Sequence, residues 1–239
     1  MNETFNTEAI ILKRDLFRES DSRVFVYTPD RGKIEVVARG TQKPGSKLVA
    51  HIEPFNSVDL MVVLGKNRKY IGSVISNNCY SLIKNDFNKV SWAGTAFNIF
   101  NSLVREDSPD PDLFYLLKEF LSAISEASGK EELYAHYFYL KLLAALGYRP
   151  ELDTCLVCGK KIAPEKNYFV FLRGGLFCAD CSSRVRPGDT SVLVSNNCLK
   201  LMKQVLNSNF AALGRLLVSD IVAAEFKKIS SEILKYQRD

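Results

Sequence analysis

Two Cys-x-x-Cys pairs limit how this chain can fold more than any other feature of its sequence. The first pair is Cys155 and Cys158, and the second is Cys178 and Cys181. The interval of about twenty residues between the pairs is typical of a four-cysteine zinc site. A closed shell of four sulfurs leaves no position for a reacting water. We therefore expect one structural Zn²⁺ that stabilises the surrounding fold.

The bulk composition is that of a globular protein, with 46% hydrophobic and 25% charged residues in a chain of 239. The sequence contains no apolar run of about 18 residues, so we expect no membrane-spanning helix. The segment Met1–Glu8 lacks the basic and apolar regions of a signal peptide. We therefore expect a cytoplasmic protein. Thiols stay reduced there, which favours metal binding over disulfides for the paired cysteines.

The net charge of +5 is distributed unevenly along the chain. Residues 1–80 and 151–239 carry an excess of Lys and Arg, whereas 81–150 carry an excess of Asp and Glu. A basic surface can attract phosphate backbones. A solvated, charge-balanced exterior would be equally consistent with these totals.

The first eighty residues predict an all-β domain. Its strands are rich in Val, Ile and aromatic residues, and they are Thr7–Lys13, Arg23–Thr28, Lys33–Arg39, Val58–Leu64 and Tyr70–Ser76. A short helix is expected at Ser46–His51. Five strands with a helical interruption after the third favour an OB-type β-barrel. An SH3-like barrel or a small sandwich would fit the same strand count.

Alternation along the second strand assigns its two faces. Val24 and Val26 lie on one face, which suits a barrel interior, and Arg23, Phe25 and Tyr27 lie on the other. Cations mixed with rings are typical of a platform on which single-stranded nucleic acid stacks. Alternatively, Phe25 and Tyr27 pack against a neighbouring domain.

From residue 86 onwards the hydrophobic period becomes helical. We expect helices at 90–104, 113–124, 133–146, 197–206 and 219–236, and a strand at Tyr168–Leu172. The predicted fold class is a multidomain α+β protein. It comprises an OB-type barrel in 1–80, a helical bundle in 81–150, an inserted zinc-finger-like segment in 151–190, and C-terminal helices in 191–239 that pack on the helical domain.

Groupings of catalytic residues are sparse. His51 and His136 lie outside any metal or triad motif, and no glycine-rich phosphate loop is present. We therefore expect no enzymatic activity. Cys79 and Cys198 lie outside the two pairs and are predicted to be buried small hydrophobic residues.

Cations concentrate in the loops and third strand of the predicted barrel. They are Lys13, Arg14, Arg18, Arg31, Lys33, Arg39, Lys43 and Lys47. A second group surrounds the cysteine pairs and comprises Lys160, Lys161, Lys166, Arg173, Arg184 and Arg186. Each phosphate that such a surface neutralises adds salt-dependent affinity. The alternative is that these side chains serve only solubility.

An ordered series of short segments extends over nearly the whole chain. It consists of Thr7–Lys13, Glu19–Asp21, Gly32–Ile34, Val37–Gly40, Lys43–Leu48 and Glu53–Phe55, and later of Leu142–Pro150 followed by Cys155 and Cys158. The first six segments resemble the N-terminal OB domain of the RecO family of bacterial recombination mediators. The last resembles the transition of that family from its helical domain to its zinc segment.

This resemblance implies a function. RecO proteins bind single- and double-stranded DNA, anneal complementary strands and, with RecR, help load the recombinase RecA onto DNA coated by single-strand-binding protein (SSB). They also bind the acidic, apolar-ended C-terminal tail of SSB, through a groove on the helical domain. By position, the eight barrel cations would contact DNA and the four cysteines would bind structural zinc. A nucleoid-associated location in the bacterial cytoplasm would follow.

Two other interpretations stay open at the level of sequence. The protein could be a zinc-stapled interaction adaptor whose main ligand is another protein, with only secondary DNA contact. It could also be a metal-dependent enzyme with a zinc-ribbon accessory, for which a further acidic or histidine cluster would be needed.

Overall fold

The computed structural model describes residues 3–186 and 188–237. It divides into two compact units, the first ending at Glu126 and the second beginning at Ala127. The division falls inside the predicted helical segment 81–150. The ends of the predicted domains 1–80 and 191–239, and position 187 within 151–190, lie outside the described residues. No helix in the described part is long and apolar enough to cross a membrane.

The first unit opens with five strands. They are β1 (Thr4–Phe17), β2 (Asp21–Thr28), β3 (Gly32–Ala38), β4 (Ser57–Leu64) and β5 (Lys69–Asn78). Their order in the sheet is β1-β2-β3-β5-β4. β4 also pairs with β1, so every strand has two neighbours, and β3 and β5 meet in parallel at Val37 and Tyr70. All five predicted strands are present, and β1 and β5 extend beyond their predicted ends.

The sheet encloses an aliphatic core. Its buried side chains alternate along the strands, as a period of two requires, and they include Val24, Val26, Ile34, Val36, Ala38, Val58, Leu60 and Val62. The predicted inward face of the second strand is therefore confirmed. The short helix expected at Ser46–His51 is wrong, because this segment consists of turns. The backbone N–H groups of His51 and Ile52 both donate to the Leu48 carbonyl oxygen, which closes a single turn, and the Asn56 side-chain amide then donates to the carbonyl oxygens of Ala50 and His51.

Three helices complete the first unit. They are α1 (Ser81–Lys84), α2 (Phe87–Leu103) and α3 (Pro111–Glu126). Asp86 caps α2 by accepting from the backbone N–H of Lys89 at 3.1 Å, and Asp110 accepts from that of Asp112 at 2.9 Å. α2 packs on α3, and α3 packs on β1 and β2. The outer side of this part of the sheet is thus covered by helices.

The described residues of the second unit form four α-helices and a small sheet. The helices are α4 (Glu131–Ala145), α5 (Asn196–Asn207), α6 (Phe210–Gly214) and α7 (Asp220–Tyr236), and α5 and α7 pack on α4. The sheet has the order β7-β6-β8, formed by β6 (Asn167–Val170), β7 (Gly175–Phe177) and β8 (Ser191–Val194). The strand predicted at Tyr168–Leu172 ends at Val170, where a 3-10 turn over Phe171–Arg173 begins.

Candidate metal centre and nucleic-acid interface

Each cysteine pair lies on a tight turn in the second unit. In the first turn the backbone N–H of Gly159 donates to the Cys155 carbonyl oxygen at 2.9 Å. In the second turn the N–H of Cys181 donates to the Cys178 carbonyl oxygen at 3.0 Å. Such a turn directs two side chains of one pair towards the same side.

The four sulfur atoms converge. The Sγ atoms of Cys155, Cys158, Cys178 and Cys181 all lie within 4.8 Å of one another, and those of Cys158 and Cys178 are 3.9 Å apart. Sulfurs that share a tetrahedral zinc at ~2.3 Å are ~3.8 Å apart, whereas disulfide sulfurs are ~2 Å apart. The observed separation therefore fits ligands of one shared ion and not a disulfide.

Backbone hydrogen bonds favour ionisation of one thiol. The Sγ of Cys155 accepts from the N–H groups of Val157 at 3.5 Å and Cys178 at 3.4 Å. Burial opposes ionisation, but these donors bring the pKa of Cys155 down to about 6. Burial and the neighbouring sulfurs raise the pKa of Cys181 to about 12. Four thiolates at this distance need a cation between them, and a thiolate set suits a soft divalent ion such as zinc.

The remaining two cysteines have different environments. Cys198 is fully buried, as predicted, and burial raises its pKa to about 12. Cys79 is exposed, so the prediction that it is buried is wrong. It follows the last residue of β5, Asn78, where the chain leaves the sheet and its core.

In the first unit, the β1–β2 loop (residues 18–20) and the β4–β5 loop (residues 65–68) meet through their side chains. The Arg68 guanidinium lies over the Phe17 ring, 4.7 Å from its centroid, and Arg18 lies over the same ring at 5.2 Å. Arg39 follows the end of β3 and covers the Tyr70 ring at 4.0 Å. We call Phe17, Arg18, Arg39, Arg68 and Tyr70 the arginine–aromatic surface.

The positive charge of this surface is only partly neutralised. Arg68 forms an ion pair with Glu35 at 3.6 Å. Within the described residues, no ion pair engages Arg18 or Arg39. Guanidinium groups bind phosphate oxygens, and both guanidinium and aromatic planes stack on bases. The arrangement therefore has the chemistry of a single-strand binding site.

Two of the predicted DNA-binding cations on β1 are paired with acids. Lys13 is exposed and forms an ion pair with Asp15 at 2.9 Å. Arg14 is half-buried and pairs with Glu53 at 2.8 Å. Exposed pairs of this kind are weak, so their cations can exchange partners at little cost in free energy.

Three further predicted cations are exposed away from such pairs. Arg31 covers the Phe5 ring at 3.9 Å from its centroid. Lys43 and Lys47 lie in the loop between β3 and β4. No ion pair engages these three side chains within the part of the chain that the structure describes.

Lys33 is separated from the other predicted cations. It is only 7% exposed, and its ammonium donates to the carbonyl oxygen of Asn101, in α2, at 2.8 Å. Burial lowers the pKa of Lys33, while Glu106 opposes that change. This position joins the sheet to α2 and does not favour the predicted contact with a phosphate.

The two rings of the predicted stacking platform also differ. Phe25 is half-buried, and the Arg23 guanidinium lies 5.4 Å from its ring centroid. Tyr27 is fully buried, its hydroxyl donates to the Asp110 carbonyl oxygen at 3.2 Å, and its ring meets Phe100 edge-on. Tyr27 therefore packs against the helices, which is the alternative that the sequence left open.

Sequence reasoning missed Arg68 and Tyr70 as parts of the site. Both are far along the chain from the basic residues of the first three strands. The sequence feature that could have identified them is the turn Gly65–Arg68 between the fourth and fifth predicted strands. In OB barrels the corresponding loop binds oligonucleotides together with the β1–β2 loop.

An apolar groove of about 140 Å³ lies in the second unit. Its apolar lining consists of Leu133, Tyr137, Leu213, Leu216, Val218 and Ala223. Two cations, Lys130 and Lys227, and two acids, Glu132 and Asp220, also line it, and Lys227 pairs with Glu132. In the adjoining segment Leu217 is fully exposed and Ile221 is 82% exposed. Exposed apolar side chains beside such a groove are typical of a surface that binds another protein.

The histidines have structural partners. Nδ1 of His51 accepts from the backbone N–H of Ser76 at 3.2 Å, which ties a loop to β5. Nδ1 of His136 lies 2.8 Å from the Ser230 hydroxyl, which links α4 to α7. Each contact gives its histidine a structural role, which is to link two segments of the fold.

Comparison with known proteins gives a consistent result over both units. The profile described as "Recombination protein O N terminal" matches residues 1–78, and "Recombination protein O C terminal" matches residues 84–238. Two relatives named DNA repair protein RecO, from Thermoanaerobacter sp. and Caldanaerobacter subterraneus subsp. tengcongensis, are 30% and 28% identical over 229 residues. Each alignment covers 96% of this chain, with 90% and 91% of the respective relative. A RecO protein of Roseiflexus sp. is 30% identical over 98% of this chain and 81% of its own length.

Proposed function

Because this chain belongs to the recombination protein O family of DNA repair proteins, we propose that it is a recombination mediator that binds single- and double-stranded DNA and anneals complementary strands. The observation that carries the proposal is the arginine–aromatic surface. It combines guanidinium groups, two of them outside any ion pair within the described residues, with the rings that they cover.

We assign the five-stranded sheet to the OB class. The order β1-β2-β3-β5-β4, the pairing of β4 with β1 and the parallel contact between β3 and β5 support this assignment. In an OB-type barrel the β1–β2 and β4–β5 loops flank the nucleic-acid binding face. Here Arg18 lies in the first of these loops and Arg68 in the second, and both cover the ring of Phe17 at the end of β1.

The proposed mechanism needs no bond-breaking step. Arg18, Arg39 and the exposed lysines neutralise phosphates, and the ring of Tyr70 with its guanidinium partner supports the bases. Screening of the backbone charge lets a complementary strand approach. A mediator of this kind calls for no catalytic residue, and we propose that the protein is not an enzyme.

The four cysteines fit a structural role in this proposal. Cys155, Cys158, Cys178 and Cys181 would hold one zinc ion, which supplies a cross-link between the two turns. The four sulfur atoms would fill all four coordination positions of the ion, because they lie close enough together to bind it at the same time.

Partner proteins are a further part of the proposal. The leucines of the groove suit the apolar end of the SSB C-terminal tail, so we place that end there. The two cations of the groove, Lys130 and Lys227, are balanced by Glu132 and Asp220, so the apolar contacts carry this assignment. With RecR, the protein would help load the recombinase onto SSB-coated DNA. Such a role would place it on the nucleoid in the bacterial cytoplasm.

The test of the DNA-binding role is fluorescence anisotropy of labelled single-stranded DNA across a salt series. We expect R18E/R39E to weaken binding and to reduce the log–log salt slope by roughly 1.4, about 0.7 for each phosphate that is no longer neutralised. A variant with the same change in charge at exposed cations of the second unit, K200E/K228E, serves as the control. An equal loss of affinity in both variants would indicate a non-specific charge effect. It would contradict the assignment of DNA binding to the arginine–aromatic surface.

The groove also favours a second candidate, a zinc-stapled adaptor whose main ligand is a protein. This candidate predicts little DNA affinity at physiological salt and a stable complex with a repair partner. The same titration separates the two, because a mediator binds DNA tightly in its wild-type form.

A further inference from the structure

A cavity of about 340 Å³ lies in the first unit beside the arginine–aromatic surface. Its walls come from three places: residues of β3, the β4–β5 loop, and the segment that follows α2. The volume is in the range of about 300–1,000 Å³ that small-molecule sites occupy. The cavity is therefore large enough for a planar organic group.

The cavity directly adjoins the arginine–aromatic surface. Arg68 belongs to both, because it lines the cavity and covers the Phe17 ring. Val37 also lines the cavity, and it is the β3 residue that pairs with Tyr70 of the surface. A strand bound along this surface would present its bases next to the opening.

Charges within the cavity balance. Three cations and three carboxylates line it, and they are Lys33, Arg68, Lys69, Glu35, Glu106 and Asp107. Arg68 pairs with Glu35 at 3.6 Å, and Lys69 pairs with Asp107 at 3.3 Å. An anion gains little in such a site, whereas a neutral group with donors and acceptors fits it.

Glu106 is the carboxylate whose acceptor capacity is free. Within the described residues its carboxylate forms no ion pair or hydrogen bond, and its backbone is held beside Lys33 by the β-bridge between the two residues. The neighbouring N–H of Asp107 donates to the Lys33 carbonyl oxygen at 3.1 Å. The carboxylate thus extends from an anchored backbone at the cavity wall.

We propose that this cavity binds a nucleobase of the single strand, with Glu106 accepting a hydrogen bond from an exocyclic amine. Amines of this kind occur on cytosine and adenine, and carboxylates are suited to accept from them. Thymine offers a carbonyl oxygen at the equivalent position, which a carboxylate repels. The inference rests on the proposed DNA-binding function and adds a base preference to it.

The experiment is a pair of titrations with labelled oligo(dC) and oligo(dT), at one salt concentration, for wild type and Glu106→Gln. Because a base also differs in its own stacking, the quantity to compare is the ratio of the two affinities. We expect Glu106→Gln to shift that ratio several-fold towards oligo(dT), with little change in the salt slope. The exposed acid Glu119 on α3 supplies the matched control, Glu119→Gln, which leaves the ratio unchanged.

A ratio that is the same in wild type and Glu106→Gln overturns the base pocket while the DNA-binding function stands. Failure of the wild type to bind either oligonucleotide overturns the proposed function instead. A photoreactive diazirine carried on one base gives an independent readout. Cross-links to peptides that contain 67–69 or 106–107 support the pocket, and cross-links confined to other peptides contradict it.

Discussion

At the scale of single residues, His136 shows how burial sets the protonation state of a side chain. Its ring is 5% exposed, and its Nδ1 lies 2.8 Å from the Ser230 hydroxyl. That hydroxyl donates to the Lys227 carbonyl oxygen at 3.1 Å, so it accepts from the histidine N–H. Burial lowers the pKa of His136 to about 4; Glu132 opposes this shift and Lys227 adds to it.

The second unit should therefore lose stability as the solution becomes acidic. The unfolded chain takes up a proton near pH 6.5 while the folded His136 stays neutral down to about pH 4. Stability from this group is complete above pH 6.5 and falls between these values, by roughly 3 kcal/mol near the lower end. Urea unfolding at several pH values measures the effect.

The variant His136→Gln isolates this contribution from that of the carboxylates. It should be less stable than wild type at neutral pH and show a shallower loss of unfolding free energy between pH 6.5 and 4. His51→Gln is the control, since this histidine lies in the other unit. Parallel pH profiles for wild type and His136→Gln would contradict the assignment.

Single residues also decide which cations can meet DNA. Lys33 and Arg39 lie on the same side of the third predicted strand by alternation. Lys33 is buried under α2, whereas Arg39 is exposed over Tyr70. The difference arises because helices cover only one part of the outer face of the sheet.

At the scale of elements, the β2–β3 turn depends on a glycine. Gly32 has a φ of +65°, and an added Cβ would lie 2.4 Å from the Ser108 carbonyl oxygen and 2.9 Å from the Pro109 backbone nitrogen. The turn therefore packs directly on the segment that follows Asp107 of the cavity. Backbone atoms cannot yield to a methyl group as a flexible side chain can.

Gly32→Ala should destabilise the first unit by roughly 2–4 kcal/mol, from the strained φ and the steric clash together. Gly45→Ala is the matched control, because Gly45 has a φ of +76° with no atom within 4 Å of the added Cβ. It should cost only about 1 kcal/mol. Thermal unfolding of the two variants measures the difference, and equal losses of stability would exclude the close contact as the cause.

At the scale of the whole molecule, the two compact units place the two kinds of site in separate parts of the chain. The arginine–aromatic surface and the cavity lie before Glu126, and the four-cysteine site lies after Ala127. A small sheet and several short turns surround the cysteines, whose sulfur atoms join two of these turns. Metal binding and folding should be coupled there.

Removal of the proposed zinc ion should therefore affect one unit selectively. We expect a chelator to lower the melting temperature and helix content of the second unit and to leave oligonucleotide affinity largely intact. Cys181→Ser should lose bound zinc and behave like the chelated protein, whereas Cys79→Ser, at an exposed cysteine outside the site, should match wild type. Unchanged melting and helix content after chelation would refute a structural metal.

Local patterns accounted for much of this protein. Alternation placed Val24 and Val26 in the core because side chains on a strand change face at every residue. The two-residue spacing within each cysteine pair predicted convergent ligands because a tight turn brings such neighbours together. Both properties depend on a few adjacent residues, so the sequence by itself determined them.

Only the tertiary structure decided the remainder of the site. Phe17 and Arg68 come together because β2 joins β1 to β3 and β3 pairs with the start of β5. Lys33 is buried because α2 lies over it. The cavity exists because Glu106 and Asp107 pack beside a strand that lies far from them in the chain. Contacts between distant segments depend on the closure of the sheet and the packing of helices on it, which no local pattern of residues encodes.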